Sequence, residues 1–245
     1  MSERKYTLVW EDDFNGESIN RDNWGNEIGF IRNHELQYYT DSPENAYIED
    51  GCLVIRAVPT GKEDVKYTSA SLNTYGKRSF LYGRIEMRAK LPYGKGIWPA
   101  FWTLGTDIRQ HGWPFCGEID IMELIGTGSK TAAEIGMGDG VISGTIHYPN
   151  KKDHLKRCEL LDGKYADDFH IIGMEWTKQH ILWYVDGIIY NKVDISDLPS
   201  FHKEHYILLN IAVGGDWPGS PDESTVFPQR YIIDWVRYYK CQENL

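Results

Sequence analysis

The sequence predicts an all-β protein in which short antiparallel strands form a sandwich or a barrel. Short segments of apolar or alternating residues recur along the chain, separated by turn residues such as Gly, Asn and Asp. Long segments with helical periodicity are nearly absent. Aromatic residues make up 13% of the chain, with nine Trp and sixteen Tyr, and β-rich cores favour them. The same side chains could stack on sugar rings, so composition alone leaves both explanations open.

The first half of the chain predicts two strands and a hairpin. Residues 6–10 form the first strand, and residues 17–45 are polar and rich in turns. Residues 47–57 read as a hairpin about Asp50-Gly51. Residues 79–91 alternate clearly, which predicts a strand with one buried face. Its inward side chains are expected to be Ile85, Met87, Ala89 and Leu91, and its outward ones Arg84, Glu86, Arg88 and Lys90.

The second half continues in the same way. A Gly/Pro turn within 92–104 leads into an aromatic strand, and an acidic strand follows it. Residues 127–143 are small and Gly-rich, which predicts a long loop, and residues 196–204 predict a short turn. Further strands are predicted at 144–148, 168–176, 180–185, 188–193, 206–213 and 231–239.

Length and charge narrow the class of protein. A chain of 245 residues suits one domain, 1-245, with a sizeable core. The net charge of −10 argues against nucleic acid or an anionic membrane as partner, and no apolar run is long enough to span a bilayer. The first residues lack the apolar segment of a secretory signal, which leaves a cytoplasmic protein or a mature exported domain. Four widely spaced cysteines exclude a small zinc module but leave one or two disulfides open.

The strand Gly-Glu-Ile-Asp-Ile-Met-Glu-Leu carries three acids within an apolar run. Alternate side chains of a strand share a face, so Glu118 and Asp120 point the same way. Strict alternation would place Met122, not Glu123, on that face. One extra residue, a β-bulge near Ile121-Met122, would return Glu123 to the acidic face.

Two explanations fit three acids on one face of a core strand. The first is a carboxylate pair that works across a glycosidic bond, one as nucleophile and the other as general acid and then base. Asp120 between them would raise the pKa of a neighbour or share a proton with it. The second is a solvated edge strand, or acids that bind a structural cation. Spacing alone does not separate the two.

Several motifs in one order resemble glycoside hydrolase family sixteen, most closely its bacterial laminarinase-type endo-β-1,3-glucanases. The central ones are Trp-Pro-Ala-Phe-Trp-Thr-Leu-Gly from Trp98, Glu-Ile-Asp-Ile-Met-Glu from Glu118 and Gly-Thr-Ile-His-Tyr from Gly144. The resemblance runs from Leu8-Val-Trp-Glu-Asp-Asp-Phe-Asn-Gly to Asp234-Trp-Val-Arg-Tyr-Tyr, which is nearly the whole chain.

The resemblance implies a β-jelly-roll sandwich of two antiparallel sheets with an open concave substrate cleft. It implies retaining hydrolysis, with Glu118 as nucleophile, Glu123 as acid/base and Asp120 as helper. The extra residue, Met122, accompanies β-1,3-glucanases and algal galactan hydrolases in this family, whereas the form without it accompanies lichenases.

The resemblance also implies a set of substrate-binding residues. Trp98 and Trp102 lie four apart on one strand, share a face and would stack sugars in the glycone subsites. His147 resembles a family histidine close to the acid/base. The remaining candidates are Asn45, Trp113 and Trp217. For each of these residues the alternative is a structural role in the core.

Two positions depart from the family pattern. Many relatives carry an arginine just after the Ser-Ala pair at 69–70, where this chain has Ser71, so a substrate-contacting arginine is expected to be missing. The loop that carries Trp217 has Asp216 where Asn is common.

The family often carries one calcium ion away from the chemistry. Asp13, the carbonyl of Gly51 and Asp234 match its ligands, and oxygen ligands from distant segments suit such a hard cation. The alternative is that both acids are ordinary surface residues.

The sequence therefore predicts a retaining endo-β-1,3-glucanase that needs no catalytic cofactor, with possible structural Ca2+. Its expected partner is a β-glucan polysaccharide or oligosaccharide, and it is expected to be a monomer, exported if it follows its family. The alternatives are a hydrolase or transglycosylase of another β-glucan or a galactan, and a non-catalytic glucan-binding sandwich.

Overall fold

Residues 5–150 and 154–242 are described by a computed structural model. Within these ranges the chain forms seventeen strands, two short α-helices and a 3-10 turn. The strands are β1 Tyr6–Asp12, β2 Gly25–Glu27, β3 Gln37–Tyr39, β4 Ala46–Glu49, β5 Cys52–Pro59, β6 Tyr67–Ser69, β7 Ser71–Asn73, β8 Gly83–Lys90, β9 Ile97–Gly105, β10 Glu118–Glu123, β11 Val141–His147, β12 Lys156–Glu159, β13 His170–Trp176, β14 His180–Val185, β15 Ile188–Asp194, β16 His205–Val213 and β17 Gln229–Cys241. The helices are α1 Ile108–His111 and α2 Lys130–Ile135, and the 3-10 turn is Pro199–Phe201.

The strands form two sheets, which confirms the predicted all-β jelly-roll sandwich. The seven-stranded sheet has the order β12-β11-β10-β9-β16-β7-β2. The ten-stranded sheet has the order β15-β14-β13-β8-β17-β5-β6-β3, with β1 paired to β17 and β4 paired to β5. Neighbouring strands are antiparallel except β3 and β6, which run parallel. The acidic strand, β10, is third from one edge of the seven-stranded sheet.

The core lies between the two sheets and follows from the alternation of their strands. The expected inward side chains of β8 have at most 2% of their surface exposed. From β10, Ile119, Ile121 and Met122 enter the same core with no exposed surface. Burial of these side chains stabilises the fold by about 1.5–3 kcal/mol each. The other face of the seven-stranded sheet is therefore the one that presents the acids.

The predicted hairpin at Asp50-Gly51 is confirmed by β4 and β5. Both turn residues have positive φ, 52° and 70°, as a two-residue hairpin turn of the favoured hand requires. The register pairs Glu49 with Cys52.

The prediction of one long loop over 127–143 is wrong in its detail. Residues Lys130–Ile135 form α2, and β11 already begins at Val141. The Ser129 side chain accepts a hydrogen bond from Ala132 N at 3.0 Å, and Gly136 ends the helix in the left-handed conformation. A helix of six residues is too short to show periodicity, so only its caps mark it in the sequence.

The structure contains neither a disulfide among the four cysteines nor, in its described residues, a membrane-spanning helix. The thiols of Cys52, Cys116, Cys158 and Cys241 are all free. Within the described ranges, no helix is long and apolar enough to cross a bilayer.

Candidate active site

The predicted bulge in β10 is confirmed by its pairing with both neighbours. Against β9, Asp120 pairs with Trp102 and Met122 with Phe101, which leaves Ile121 as one extra residue. Against β11, the three steps from Asp120 to Glu123 match two steps of the partner strand. Two consecutive core side chains, those of Ile121 and Met122, fill the bulge.

The bulge places all three acids on the outer face of the seven-stranded sheet. Glu118 and Asp120 share that face by alternation, and the extra residue brings Glu123 back to it. Asp120 is 2% exposed and Glu123 is 9% exposed, whereas the Glu118 side chain is 16% exposed. Acids buried to this extent would be ionised only with partners, because low polarity disfavours charge.

Glu118 has two neighbours beside it, and it shares one of them with Asp120. His147 lies opposite Glu118 across β10 and β11, and its Nε2 is 3.0 Å from Asp120 Oδ2 and 3.8 Å from Glu118 Oε1. Trp113 Nε1 donates a hydrogen bond to Glu118 Oε2 at 2.7 Å. The Trp113 ring is 57% exposed and its centroid is 6.1 Å from the His147 ring. The structure thus brings both predicted residues to the acids, beside Glu118.

Glu123 has a separate partner. Trp98 Nε1 donates a hydrogen bond to Glu123 Oε1 at 3.0 Å. The Trp98 and Trp217 rings pack edge to face with centroids 5.2 Å apart. Trp217 comes from the loop after β16, so this loop supports the ring that holds Glu123.

Burial and mutual repulsion raise the pKa of both glutamates. Burial, followed by the Asp120 carboxylate, raises the pKa of Glu118 to about 8. Burial, followed by Asp120 and Glu118, raises the pKa of Glu123 well above its usual range. His147 and the hydrogen bond from each indole oppose these shifts. Both glutamates therefore hold a proton more tightly than an exposed glutamate does.

Trp102 shares the face of Trp98, as predicted, but its ring is covered. It is 7% exposed, and its Nε1 donates to Asn210 Oδ1 at 2.8 Å. The guanidinium of Arg32 lies 5.0 Å from the ring centroid. Asn210 also donates to the Tyr39 hydroxyl at 3.0 Å.

Sequence reasoning missed Arg32, Glu27 and Asn210. Asn210 carries a signal, since a single amide in an apolar strand needs hydrogen-bond partners. Arg32 and Glu27 carry no such signal in the sequence, because they lie in the turn-rich segment 17–45. Their contacts depend on how distant strands pair. Ser71, where an arginine was expected to be missing, donates to Glu27 Oε2 at 2.6 Å.

Asn45 lies apart from these contacts. It is 1% exposed, accepts a hydrogen bond from Thr40 Oγ1, and donates to the carbonyl of Arg56 and to Thr68 Oγ1. These bonds link the segment before β4 to β5 and β6. Its assignment as a substrate-binding residue stays a prediction.

The unusual acid at position 216 has a partner of its own. Asp216 Oδ2 lies 3.0 Å from His34 Nδ1, and Asp216 N donates to the Asn33 carbonyl at 3.0 Å. The segment before β3 and the Trp217 loop are thereby joined.

The predicted calcium ligands are placed as follows. Asp13 accepts hydrogen bonds from the backbone and side-chain nitrogens of Asn15, whose Oδ1 lies beside Gly51. Asp234 accepts a hydrogen bond from Arg88 Nη1 at 2.6 Å. Asn15 thus lies beside both Asp13 and Gly51, whereas a cation at Asp234 must share its carboxylate with a guanidinium. Calcium at these residues stays a prediction.

One further group could hold a metal ion. Ligand atoms of Glu118, Asp120 and His147 lie within 4.8 Å of one another. These are the residues of the acidic cluster itself, so a cation there would compete with any chemistry that the acids perform.

Comparisons with known proteins agree on one family. Residues 23–237 match the model of "Glycosyl hydrolases family 16". The chain is 35% identical to a β-glucanase of Rhodothermus marinus over 97% of this chain and 86% of that protein. It is equally identical to glucan endo-1,3-β-glucosidase A1 of Niallia circulans, over 96% of this chain but only 38% of that longer protein. A β-1,3-glucan-binding protein of Penaeus monodon is 27% identical over 93% of the chain.

Solved structures that resemble this chain include those of β-1,3-glucan-degrading enzymes. The laminarinase catalytic domain of Thermotoga maritima is 42% identical and superposes with a TM-score of 0.85, covering 96% of this chain and 98% of that domain. The endo-β-1,3-glucanase of Pyrococcus furiosus is 39% identical with a TM-score of 0.87, covering 98% and 97%.

Proposed function

This chain belongs to glycosyl hydrolase family 16 and is a glycoside hydrolase, and we propose that it is a retaining endo-hydrolase of β-1,3-glucans. The observation that carries the proposal is the bulge in β10, because it puts Glu118, Asp120 and Glu123 on one open face. The names of the similar proteins support glucan as the substrate class.

In the first step the ionised carboxylate of Glu118 attacks the anomeric carbon. Glu123 donates its proton to the departing glycosidic oxygen, so the C–O bond breaks without release of an alkoxide. The products are a glycosyl ester on Glu118 and a shortened chain with a free hydroxyl. The raised pKa of Glu123 suits a proton donor, and the Trp113 hydrogen bond favours the charged form of Glu118.

In the second step Glu123, now ionised, removes a proton from water. The water oxygen attacks the anomeric carbon, the ester bond to Glu118 breaks, and Glu118 leaves as a carboxylate. Two inversions retain the β configuration. His147 stays beside Glu118 in both steps, because its Nε2 also contacts the Asp120 carboxylate.

Family 16 enzymes need no catalytic cofactor, and the steps above use only carboxyl groups and water. Calcium, if bound at Asp13, Gly51 and Asp234, would supply structural stability at a distance from the acids. We also propose that the protein acts as a monomer and, in keeping with its family, outside the cell.

A non-catalytic glucan-binding sandwich is the rival of a different class, since one similar protein carries such a name. Two glutamates with raised pKa values beside a buried aspartate argue against it, because a lectin gains nothing from carboxyl groups that resist ionisation. A reducing-sugar assay on laminarin, lichenan, xyloglucan and agarose separates the rivals. We expect the highest rate on laminarin, and binding without new reducing ends on every substrate would refute the proposal.

The roles of the two glutamates are tested separately. Glu118→Ala should abolish turnover, whereas Glu123→Ala should lose about 10²–10⁴-fold on laminarin yet cleave an aryl glycoside whose leaving group needs no proton. Azide should accelerate the Glu123→Ala variant.

The stereochemistry of the reaction is tested on the wild type. NMR of the first sugar released should show the β anomer, and an initial α anomer would contradict retention.

A further inference from the structure

Arg32 is the cationic side chain that reaches the ring of Trp102 on the outer face of the seven-stranded sheet. It comes from the segment between β2 and β3, and its Cζ lies 5.0 Å from the ring centroid. Trp102 is the direct cross-strand partner of Asp120, so its ring lies one strand from the acids. A guanidinium at this distance from an indole is attracted to the face of the ring.

The position of Arg32 is fixed by Glu27, which is itself held by Ser71. Glu27 Oε1 binds Arg32 Nη2, and Glu27 Oε2 accepts from the Ser71 hydroxyl at 2.6 Å. The two charged side chains are only 23% and 21% exposed, so their attraction is screened less than at an open surface. Asn210 fixes the indole beneath in turn, through the hydrogen bond to Trp102 Nε1.

Strand register places this group in the row of the acid/base. Glu27 pairs with Ser71, Ser71 with Asn210, and Asn210 with the partner of Glu123 on β9. At about 4.8 Å per strand, Glu27 lies roughly 19 Å from Glu123 along that row. Arg32 spans the interval between Glu27 and Trp102, whose strand β9 pairs directly with β10.

The guanidinium has donors left for a ligand. Within the described residues, its side-chain hydrogen bond is the one from Nη2 to Glu27. A guanidinium carries five N–H groups, and 23% of the Arg32 side chain is exposed to solvent. Sugar hydroxyls are acceptors that these groups fit, and the arginine rather than the covered indole is the surface that a sugar would meet.

We propose that Arg32 is a substrate-binding residue, which donates hydrogen bonds to the hydroxyls of a glucose unit in a subsite adjoining the cleavage point. Glu27 and Ser71 are its positioning residues, and its guanidinium packs against the ring of Trp102. This proposal rests on the proposed β-1,3-glucan substrate and adds a residue to its recognition.

The experiment measures binding of β-1,3-linked gluco-oligosaccharides of two to six units by calorimetry. Glu118→Gln serves as the inactive background, and Arg32→Ala, Arg32→Lys and Glu27→Gln are added to it. We expect Arg32→Ala to weaken binding of the longest oligosaccharide about tenfold, with a smaller loss for the shortest, which does not fill the subsite. Lysine should restore part of the affinity, because it keeps the charge but not the planar fork.

A matched control is Arg84→Ala, which removes an arginine paired with Glu175 on the ten-stranded sheet. It should leave affinity unchanged at every length. The double change of Glu27 and Arg32 should match Arg32→Ala alone if Glu27 acts through Arg32.

Three results would overturn the inference. They are unchanged affinity in Arg32→Ala, tighter binding because Trp102 has been uncovered, and an equal loss at all lengths, which indicates a general structural defect. The wild-type assay on laminarin separates this failure from failure of the proposed function. If the wild type cleaves laminarin and Arg32→Ala binds normally, only the subsite is wrong.

Discussion

Asp120 is the residue on which the two glutamates depend electrostatically. It is buried, contacts His147 at 3.0 Å, and after burial is the largest cause of the raised pKa of both Glu118 and Glu123. A like charge between two acids keeps a proton within the cluster. The proposed reaction needs one proton on the pair, so we expect Asp120 to shift the pH range of activity upwards.

Replacing Asp120 by Asn removes this charge. The pKa values of Glu118 and Glu123 should both fall, so the acidic and the alkaline limbs of the profile of kcat/KM against pH should both move to lower pH. The maximal rate should also fall, but the limb positions do not depend on it. The measurement is the pH profile of Asp120→Asn beside the wild type. Limbs that stay in place would show that burial alone raises the two pKa values.

Glu175→Gln is the matched control for that profile. It removes an acid that pairs with Arg84 on the ten-stranded sheet, so both limbs should stay where the wild type has them.

The element that decides the site is β10 with its bulge. Ile121 and Met122 are consecutive and both face the core, with no exposed surface. Without the extra residue, alternation alone would bring the next acid onto the outer face. In the chain as it stands the bulge keeps Glu123 on this face, and removal of the extra residue would keep the acid there but point it in a different direction.

Deletion of Met122 should leave the three acids on one face with the spacing Glu-x-Asp-x-Glu. Activity should survive at a reduced level, because a misplacement of about 1 Å can cost ~10²-fold in rate. The loss should be larger on laminarin than on mixed-linkage glucan if the bulge tunes linkage choice. Initial rates on the two polysaccharides test this.

Met122→Leu is the control for that deletion. It keeps the chain length and nearly the volume, so it should retain the bulge and most of the activity. A deletion variant more active than the wild type on both glucans would contradict the role given to the bulge.

At the scale of the molecule, the acidic cluster lowers the stability of the fold as the pH rises. The pKa of Glu118 rises from 4.5 to about 8 on folding, so folded Glu118 holds its proton more tightly than the unfolded chain does. The stability from this proton is fully present below about pH 4.5. It is lost as pH rises through 8.

Glu118→Gln removes the ionisable group and therefore this loss. The melting temperature of the variant relative to the wild type should rise as the pH is raised from 5 to about 9. Thermal unfolding at several pH values measures it. A difference that is constant across this range would show that Glu118 titrates alike in the folded and unfolded states.

The calcium prediction also concerns global stability. If Asp13, Gly51 and Asp234 bind calcium, the ion should raise the melting temperature in proportion to the logarithm of its concentration above the Kd, and chelation should reverse this. Low-temperature activity should change little. Asp234→Ala should lose the response to calcium.

Arg88→Ala is the matched control, because it removes the same ion pair but leaves the Asp234 carboxylate free. It should keep the calcium response. A wild type that contains no metal and ignores calcium would remove the site.

The all-β class, the shared face of the acids and the bulge could all be deduced from the residues, whereas the choice of a sandwich over a barrel came from the family resemblance. They depend on alternation with a period of two, which is a local property that neighbouring residues fix among themselves. The inward side of β8 and the hairpin at Asp50-Gly51 could likewise be predicted from the sequence, because each depends on a few consecutive residues. The short helix α2 was not, since six residues carry too little periodicity.

The partners of the acids were decided only by the tertiary structure. Trp98 reaches Glu123 from 25 positions away, and Asn210 reaches Trp102 across 108 positions. Arg32, Glu27 and Ser71 meet because β2, β7 and β16 pair in one register, which no local pattern specifies. Long-range pairing is set by the burial of the whole core, so the chemistry of the acids can be read along the chain while the surface that would hold their substrate exists only once the sheets have formed.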